Sequence, residues 1–188
     1  NTAPAILSSA LIKEIPENQS LIFLTSDHLI GKINMFIKSI KQHQKYLTDK
    51  NIFIFGIKPS NPSSEFGYFL SKRVNNRNKV IKFVEKPNIE KAKKIIKNNA
   101  YWNSGMFFLT KKSIINNFKK YQNKIFKHCF NSVSKSKFKN NIYYLNKKNF
   151  LKCRPISFDY AILEKSKDIN AIKLNIPWSD LGSWKEIC

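Results

Sequence analysis

A strand–helix–strand succession over residues 21–57 most constrains how this chain can fold. Residues 21–25 form a short apolar run that ends in Ser26, Asp27 and His28. The pattern predicts a buried strand that delivers polar side chains at its C-terminal end. Ile33, Phe36, Ile37, Ile40, Gln44 and Leu47 then follow helical spacing, which predicts an amphipathic helix over residues 32–47. Residues 51–57 read as the next strand. This order favours a parallel sheet with helical crossovers. The expected fold is a three-layer α/β domain around a mostly parallel, mixed sheet. Such sheets bind ligands beyond the carboxyl ends of their strands.

The rest of the chain fits that class. Pro4 suits the first turn of a helix running to about Ile15, with Thr2 as its cap. Residues 58–65, with two prolines and three serines, form a loop. Strands are expected over 67–71 and 79–84, separated by a polar turn at 73–78. A helix over 89–97 turns Ile95 and Ile96 inward. Residues 102–110 read as an apolar strand interrupted by Asn103, Ser104 and Gly105. A long helix over 113–130, short helices and loop over 132–152, a helix over 158–164 and a strand over 172–176 complete the reading. No repeat or linker interrupts residues 1–188, so one domain is expected.

The net charge of +22 raises the question of a nucleic-acid partner. Only Arg73, Arg77 and Arg154 are arginines, and arginine is the usual reader of base edges and phosphate forks. The lysines, with abundant Asn, Ile and Phe, fit codon bias in an AT-rich genome, spread over solvated faces. Under this reading no nucleic acid binds; tight, salt-sensitive binding of random duplex DNA would contradict it. No run of 18 apolar residues occurs, so no membrane span is expected. Cys129, Cys153 and Cys188 are odd in number and form no CxxC pair, which fits a reducing cytoplasm. His28, His43 and His128 show no metal-ligand spacing.

Several residues could carry chemistry. Asp27 and Asp180, if they converge, offer hard oxygen ligands of the kind Mg²⁺ takes beside nucleotide phosphates. Alternatively each caps a following helix, Asp180 one beginning near Ser183. Glu85 could accept hydrogen bonds from sugar hydroxyls, and Lys86 could neutralise a phosphate; an exposed ion pair is the plainer reading. Asn103 offers both a donor and an acceptor to a vicinal diol, and Gly105 permits close backbone approach or marks a bulge. Asp159 is favourable at a helix N-terminus in any case. Trp102, Trp178 and Trp184 suit a core or a pocket wall, and His28 suits a structural role.

Six motifs in fixed order tie these residues together: NTAPAI (1–6), SDH (26–28), FVEKP (83–87), YWNSGMF (101–107), SFDYAILEK (157–165) and WSDLGSW (178–184). Together they resemble the nucleotidyltransferase domain of bacterial mannose-1-phosphate guanylyltransferases, which make GDP-mannose. The resemblance implies a Rossmann-like, GT-A-like domain that is N-terminally incomplete, because the family's Gly-rich nucleotide loop should lie upstream of Asn1. It implies transfer of GMP from GTP to mannose 1-phosphate, with release of pyrophosphate. Mg²⁺ would sit on Asp27 and Asp180. Glu85 and Lys86 would bind the sugar phosphate, and Asn103 and Asp159 would line the sugar pocket. Gly67, in EFGYF, would face the sugar with its backbone, although Glu65 stands where the family usually has a further glycine. Asn1 and Thr2 would line the base pocket. The implied setting is the cytoplasm, with no membrane partner; a homo-oligomer is compatible with the family. Some relatives continue into a C-terminal isomerase domain of cupin type. Without the Gly-rich loop and first strand, residues 1–188 alone are expected to be inactive, with an open sheet centre. A related nucleotidyltransferase with another base or sugar, and a basic nucleic-acid-binding module, are the alternatives.

Overall fold

A computed structural model of the chain describes residues 1–182. The sequence expectations for Ser183, Trp184 and Cys188 lie outside the described residues. The chain divides into two compact units, each assembled from separate stretches of sequence.

The unit made of residues 1–21, 48–50 and 109–167 is mostly helical. Helix α1 spans Thr2–Ala10 and is shorter than expected. Thr2 lies inside the helix rather than capping it, and Asn1 holds the cap position. The Thr2 hydroxyl instead accepts the Phe158 amide hydrogen at 2.9 Å. The single long helix expected over 113–130 is two, α4 (Lys111–Tyr121) and α5 (Asn123–Ser134). They break at Gln122, where φ is −141° and ψ 50°, and the Gln122 side chain donates to the Ala161 carbonyl at 3.0 Å. Lys111 is buried and its ammonium is satisfied by the carbonyls of Ile12 and Ile15, at 2.9 and 2.7 Å. Strands β7 (Lys137–Lys139) and β8 (Ile142–Tyr144) form a hairpin where short helices and loop were expected. Asn140 and Asn141 close it with φ of 52° and 60°, the twist a two-residue hairpin turn requires. Helix α6 (Lys147–Phe150) follows, and Asp159–Leu163 form a π-helical turn.

Within this unit Cys129 is fully buried, its sulfur 3.5 Å from that of Cys153. Burial pushes the Cys129 thiol up to about 12. Only about one molecule in 10⁴ would carry the thiolate at pH 8. Native protein treated with iodoacetamide at pH 8 should therefore leave Cys129 unmodified, whereas unfolded protein labels it; peptide mass spectrometry reads the difference. The raised pKa also sets a sign. The unfolded thiol ionises first, so this contribution to stability is complete below the unfolded value and is lost as pH rises toward about 12.

The other unit carries the sheet apart from the first two residues of β1 and the last two of β6. Its strands are β1 (Ser20–Phe23), β3 (Ile52–Ile57), β4 (Gly67–Val74), β5 (Arg77–Val84), β6 (Tyr101–Thr110) and β9 (Ile169–Leu174), in the order β1-β6-β3-β9-β5-β4. The α/β class and the central mixed sheet are as expected. The balance of directions is not. β3 and β9 pair in parallel, but β3–β6, β4–β5, β4–β6 and β5–β9 are antiparallel. Two features cause this. β4 and β5 form a hairpin through Asn75 and Asn76, both at positive φ, and β6 inserts beside β3 as an antiparallel neighbour. All six residues of β3 are buried, because neighbouring strands cover both its edges and side chains cover both its faces. Phe53, Phe55, Tyr68, Trp102, Phe108 and Ile172 anchor the core of this unit.

Helix α2 (Ile33–Gln44) has the expected place but only part of the expected face. Phe36 is buried and Ile40 packs on the core, whereas Ile33 and Ile37 remain exposed. Helix α3 (Ile89–Ile96) begins on an Asn88 side-chain cap and buries Ala92 and Ile95. The last sheet strand starts at Ile169, three residues before the expected position. Among the described residues no helix is long and apolar enough to cross a membrane.

Candidate active site

A small antiparallel ribbon, separate from the main sheet, builds the acidic part of the site. Strand β2 (His28–Ile30) pairs with β10 (Trp178–Asp180), so that Asp180 stands opposite His28. The ladder extends at both ends. Gly31 N–H donates to the Pro177 carbonyl and Leu181 N–H to the Asp27 carbonyl, each at 2.8 Å. Asp27 is thus in the turn before β2 rather than at the end of β1, and it meets the end of β10 from across the ribbon. Two aspartates far apart in sequence become neighbours, as metal binding requires.

Each carboxylate has one oxygen toward His28. Asp27 Oδ1 is 3.9 Å and Asp180 Oδ2 is 3.7 Å from His28 Nε2. Neither distance is a hydrogen bond. The His28 side chain is 7% exposed. Burial pushes its pKa below the ordinary histidine value, even though Asp180 and Asp27 act the other way. The imidazole is therefore neutral at pH 7 and leaves the charge of the two carboxylates uncompensated. Its ring stands edge-on to Trp178 at 5.0 Å, which fixes the wall behind the acidic pair. The Asp27 and Asp180 side chains are 57% and 32% exposed, open enough for water and phosphate oxygens.

The donor set fits Mg²⁺. Two hard carboxylate oxygens suffice when substrate phosphates and waters complete the octahedron. The other two oxygens, Asp27 Oδ2 and Asp180 Oδ1, face one common space, lying 3.6 and 2.8 Å from where a side chain on Gly182 would begin. Among the described residues no group of three or more His, Cys, Asp or Glu side chains is arranged to hold a metal ion unaided.

A second cluster gathers three of the expected sugar-binding residues, Gly67, Glu85 and Asn103. Gly67 on β4 pairs with Asn103 on β6. The Glu85 carboxylate lies over Gly67, with Oε2 only 2.5 Å from where a Cβ on that glycine would stand. Gly67, Glu85 and Asn103 therefore form one patch. Lys86 follows in a bend with φ of 39°, outside the strand, and its side chain is exposed. A lysine held in the left-handed region is strained, as Lys32 at φ 50° also is.

The β6 interruption is a bulge. The β3–β6 register jumps from Ile54–Phe107 to Gly56–Asn103, and Gly105 takes φ of +72°. The Ser104 hydroxyl anchors the bulge by donating to the Phe55 carbonyl at 2.9 Å. A Cβ on Gly105 would lie 3.7 Å from Thr25 and 4.0 Å from His28, so the bulge reaches the acidic pair. Phe66 packs on both Trp102 and Trp178, at 4.8 and 5.5 Å. These ring contacts tie the strand start at Gly67 to β10, which carries Asp180. Phe66 is the site residue that sequence reasoning missed. Its signal was available, since it stands directly before Gly67 in EFGYF.

Asn1, Thr2 and Asp159 belong to the other unit, where the Thr2–Phe158 hydrogen bond brings the start of α1 beside the start of the π-helical turn. These three residues are thus one local group.

The family model "Nucleotidyl transferase" matches residues 1–188. A mannose-1-phosphate guanylyltransferase of Escherichia coli is 34% identical over 100% of this chain and 42% of its own length. One from Salmonella montevideo is likewise 34% identical, over 100% of this chain and 41% of its own. The chain thus spans about two fifths of the length of the curated relatives it matches. Among solved structures, a mannose-6-phosphate isomerase from Helicobacter pylori has a TM-score of 0.85 at 31% identity, over 96% of this chain and 70% of that one. A mannose-1-phosphate geranyltransferase from Thermus thermophilus has the same TM-score at 23% identity, over 98% and 53%, and supports the fold. With the family model matching the whole length, this chain belongs to the nucleotidyl transferase family.

Proposed function

We propose that the protein containing this chain transfers GMP from GTP to mannose 1-phosphate, forming GDP-mannose and pyrophosphate. The observation that carries this reading is the convergence of Asp27 and Asp180 through the β2–β10 ribbon, beside the Gly67–Glu85–Asn103 patch. The relatives' names supply the base and the sugar.

The sugar phosphate oxygen attacks the α-phosphorus of GTP in line, and pyrophosphate leaves. The nucleophile is already anionic, so the chain need not supply a general base. What it must do is hold two polyanions together against their repulsion. Asp27 and Asp180 would hold Mg²⁺, which when bound offsets the negative charge of the phosphates. The Lys86 ammonium adds a compact positive charge for the sugar phosphate. Glu85 accepts hydrogen bonds from sugar hydroxyls, and Asn103 offers both a donor and an acceptor. The neutral His28 and the Trp102–Phe66–Trp178 wall exclude water from behind the reacting groups. Asn1 and Thr2 are assigned to the base and Asp159 to the sugar; the Thr2 oxygen already accepts from Phe158, so its hydroxyl hydrogen remains for the ligand.

The sugar-site assignment has a direct test in the full-length gene product. Glu85→Gln keeps the shape but weakens the acceptor, and Gly67→Ala drives a methyl into the Glu85 carboxylate. Both should raise the KM for mannose 1-phosphate about tenfold, a loss near 1.4 kcal/mol, and leave the KM for GTP unchanged. Equal effects on both substrates, or none, would remove Glu85 from the sugar site.

A further inference from the structure

Gly182 follows Asp180 by two residues and stands at the mouth of the acidic pair. Its amide donates to Asp180 Oδ1 at 2.8 Å. That hydrogen bond fixes one carboxylate oxygen and leaves the other facing His28. The Gly182 backbone is not in the left-handed region, so conformation alone does not demand glycine there. Space does. A Cβ at this position would lie 2.8 Å from Asp180 Oδ1 and 3.6 Å from Asp27 Oδ2. The first distance is shorter than a carbon–oxygen contact allows. The carboxylate is the end of a flexible side chain, so the added methyl would turn Asp180 aside rather than break the fold.

We infer that Gly182 is a positioning residue for the metal: its amide aims Asp180, and its missing side chain keeps open the space into which both carboxylates face. The inference rests on the reading of Asp27 and Asp180 as the Mg²⁺ ligands. Gly182 itself contributes no ligand atom. It acts on affinity through the direction of a ligand, as hydrogen-bonding neighbours of metal ligands do elsewhere. The same geometry accounts for a glycine two residues after the aspartate in WSDLGSW.

The test uses the full-length gene product saturated with a non-hydrolysable GTP analogue and Mn²⁺ as probe, followed by electron paramagnetic resonance and water-proton relaxation, with circular dichroism to monitor folding. Unsubstituted protein, Asp180→Asn, Gly182→Ala and the neighbouring control Leu181→Ala are compared. The inference expects Gly182→Ala to raise the Mn²⁺ Kd about 10- to 100-fold with an unchanged melting curve. Leu181→Ala should bind as the unsubstituted protein does, because its amide and the open space are both retained. Should alanine at 182 fail to fold, Gly182→Ser adds the same Cβ with a hydroxyl that can hydrogen-bond a displaced carboxylate, and the same rise in Kd is expected. If Asp180→Asn loses Mn²⁺ while folded Gly182→Ala binds normally, Gly182 has no positioning role and the metal reading stands. If Asp180→Asn binds normally, or the unsubstituted protein takes up no Mn²⁺, the metal reading fails and the inference falls with it.

Discussion

Asp180→Asn in the full-length gene product should lower kcat by about 10²–10³-fold, corresponding to roughly 3–4 kcal/mol of lost transition-state stabilisation. The substitution preserves volume and leaves an oxygen to accept the Gly182 amide. It removes one of the two negative charges that face the common space above Gly182. His28 cannot compensate, since burial keeps it neutral. The same substitution should leave the melting temperature almost unchanged, because Asp180 is partly exposed and its backbone pairing with His28 is retained. Initial rates at saturating substrates, measured across a Mg²⁺ titration, check the expectation. Near-normal turnover at saturating Mg²⁺ would remove Asp180 from the metal site.

Phe55→Ala should be the most damaging core substitution near the site, at about 3–5 kcal/mol. Phe55 is 0% exposed, stands opposite Ile172 across the parallel β3–β9 pairing, and packs on Phe36 at 5.3 Å. Truncation opens a cavity that flanking strands cannot collapse into, because β3 is held on both edges. A loss of that size is a large share of the roughly 5–15 kcal/mol that stabilises a typical domain. The Phe55 carbonyl also receives the Ser104 hydroxyl that anchors the β6 bulge, so a shifted β3 would move Gly105 relative to His28. Urea unfolding followed by fluorescence should show a much lower midpoint. A change under about 1 kcal/mol would contradict the packing described here.

The candidate residues were singled out before the structure mainly through the motif resemblance, because their residue types alone left helix caps and an exposed ion pair open. Asp27, Glu85, Lys86, Asn103 and Asp180 sit in short stretches whose residue types suit phosphate, metal and sugar. The pairing that unites Asp27 with Asp180 was not legible. It depends on two three-residue strands distant in sequence, too short for any alternation of apolar and polar residues to reveal. The long-range order of the sheet was hidden for a related reason. β6 is buried nearly throughout, so its pattern carries no direction, and its antiparallel insertion beside β3 is decided by packing. The break at Gln122 lacks a glycine or proline to mark it. By contrast, the β7–β8 hairpin had a local signal in Asn140-Asn141, matched by Asn75-Asn76 in the β4–β5 turn. Asparagine tolerates positive φ better than most residues, and two in succession suit a tight hairpin. The exposed Ile33 and Ile37 show the limit of helical spacing, which names a face without naming what covers it.

The most direct test is pyrophosphate release by the full-length gene product with Mg²⁺, GTP and mannose 1-phosphate. Glucose 1-phosphate replaces the sugar, and dTTP, UTP or ATP replaces the nucleotide, in parallel reactions. The account predicts rapid release with GTP and mannose 1-phosphate and little with any other pair. Release with a different pair would contradict the assigned base or sugar while leaving the carboxylate chemistry in place. No release from folded protein with any pair would contradict nucleotidyl transfer itself.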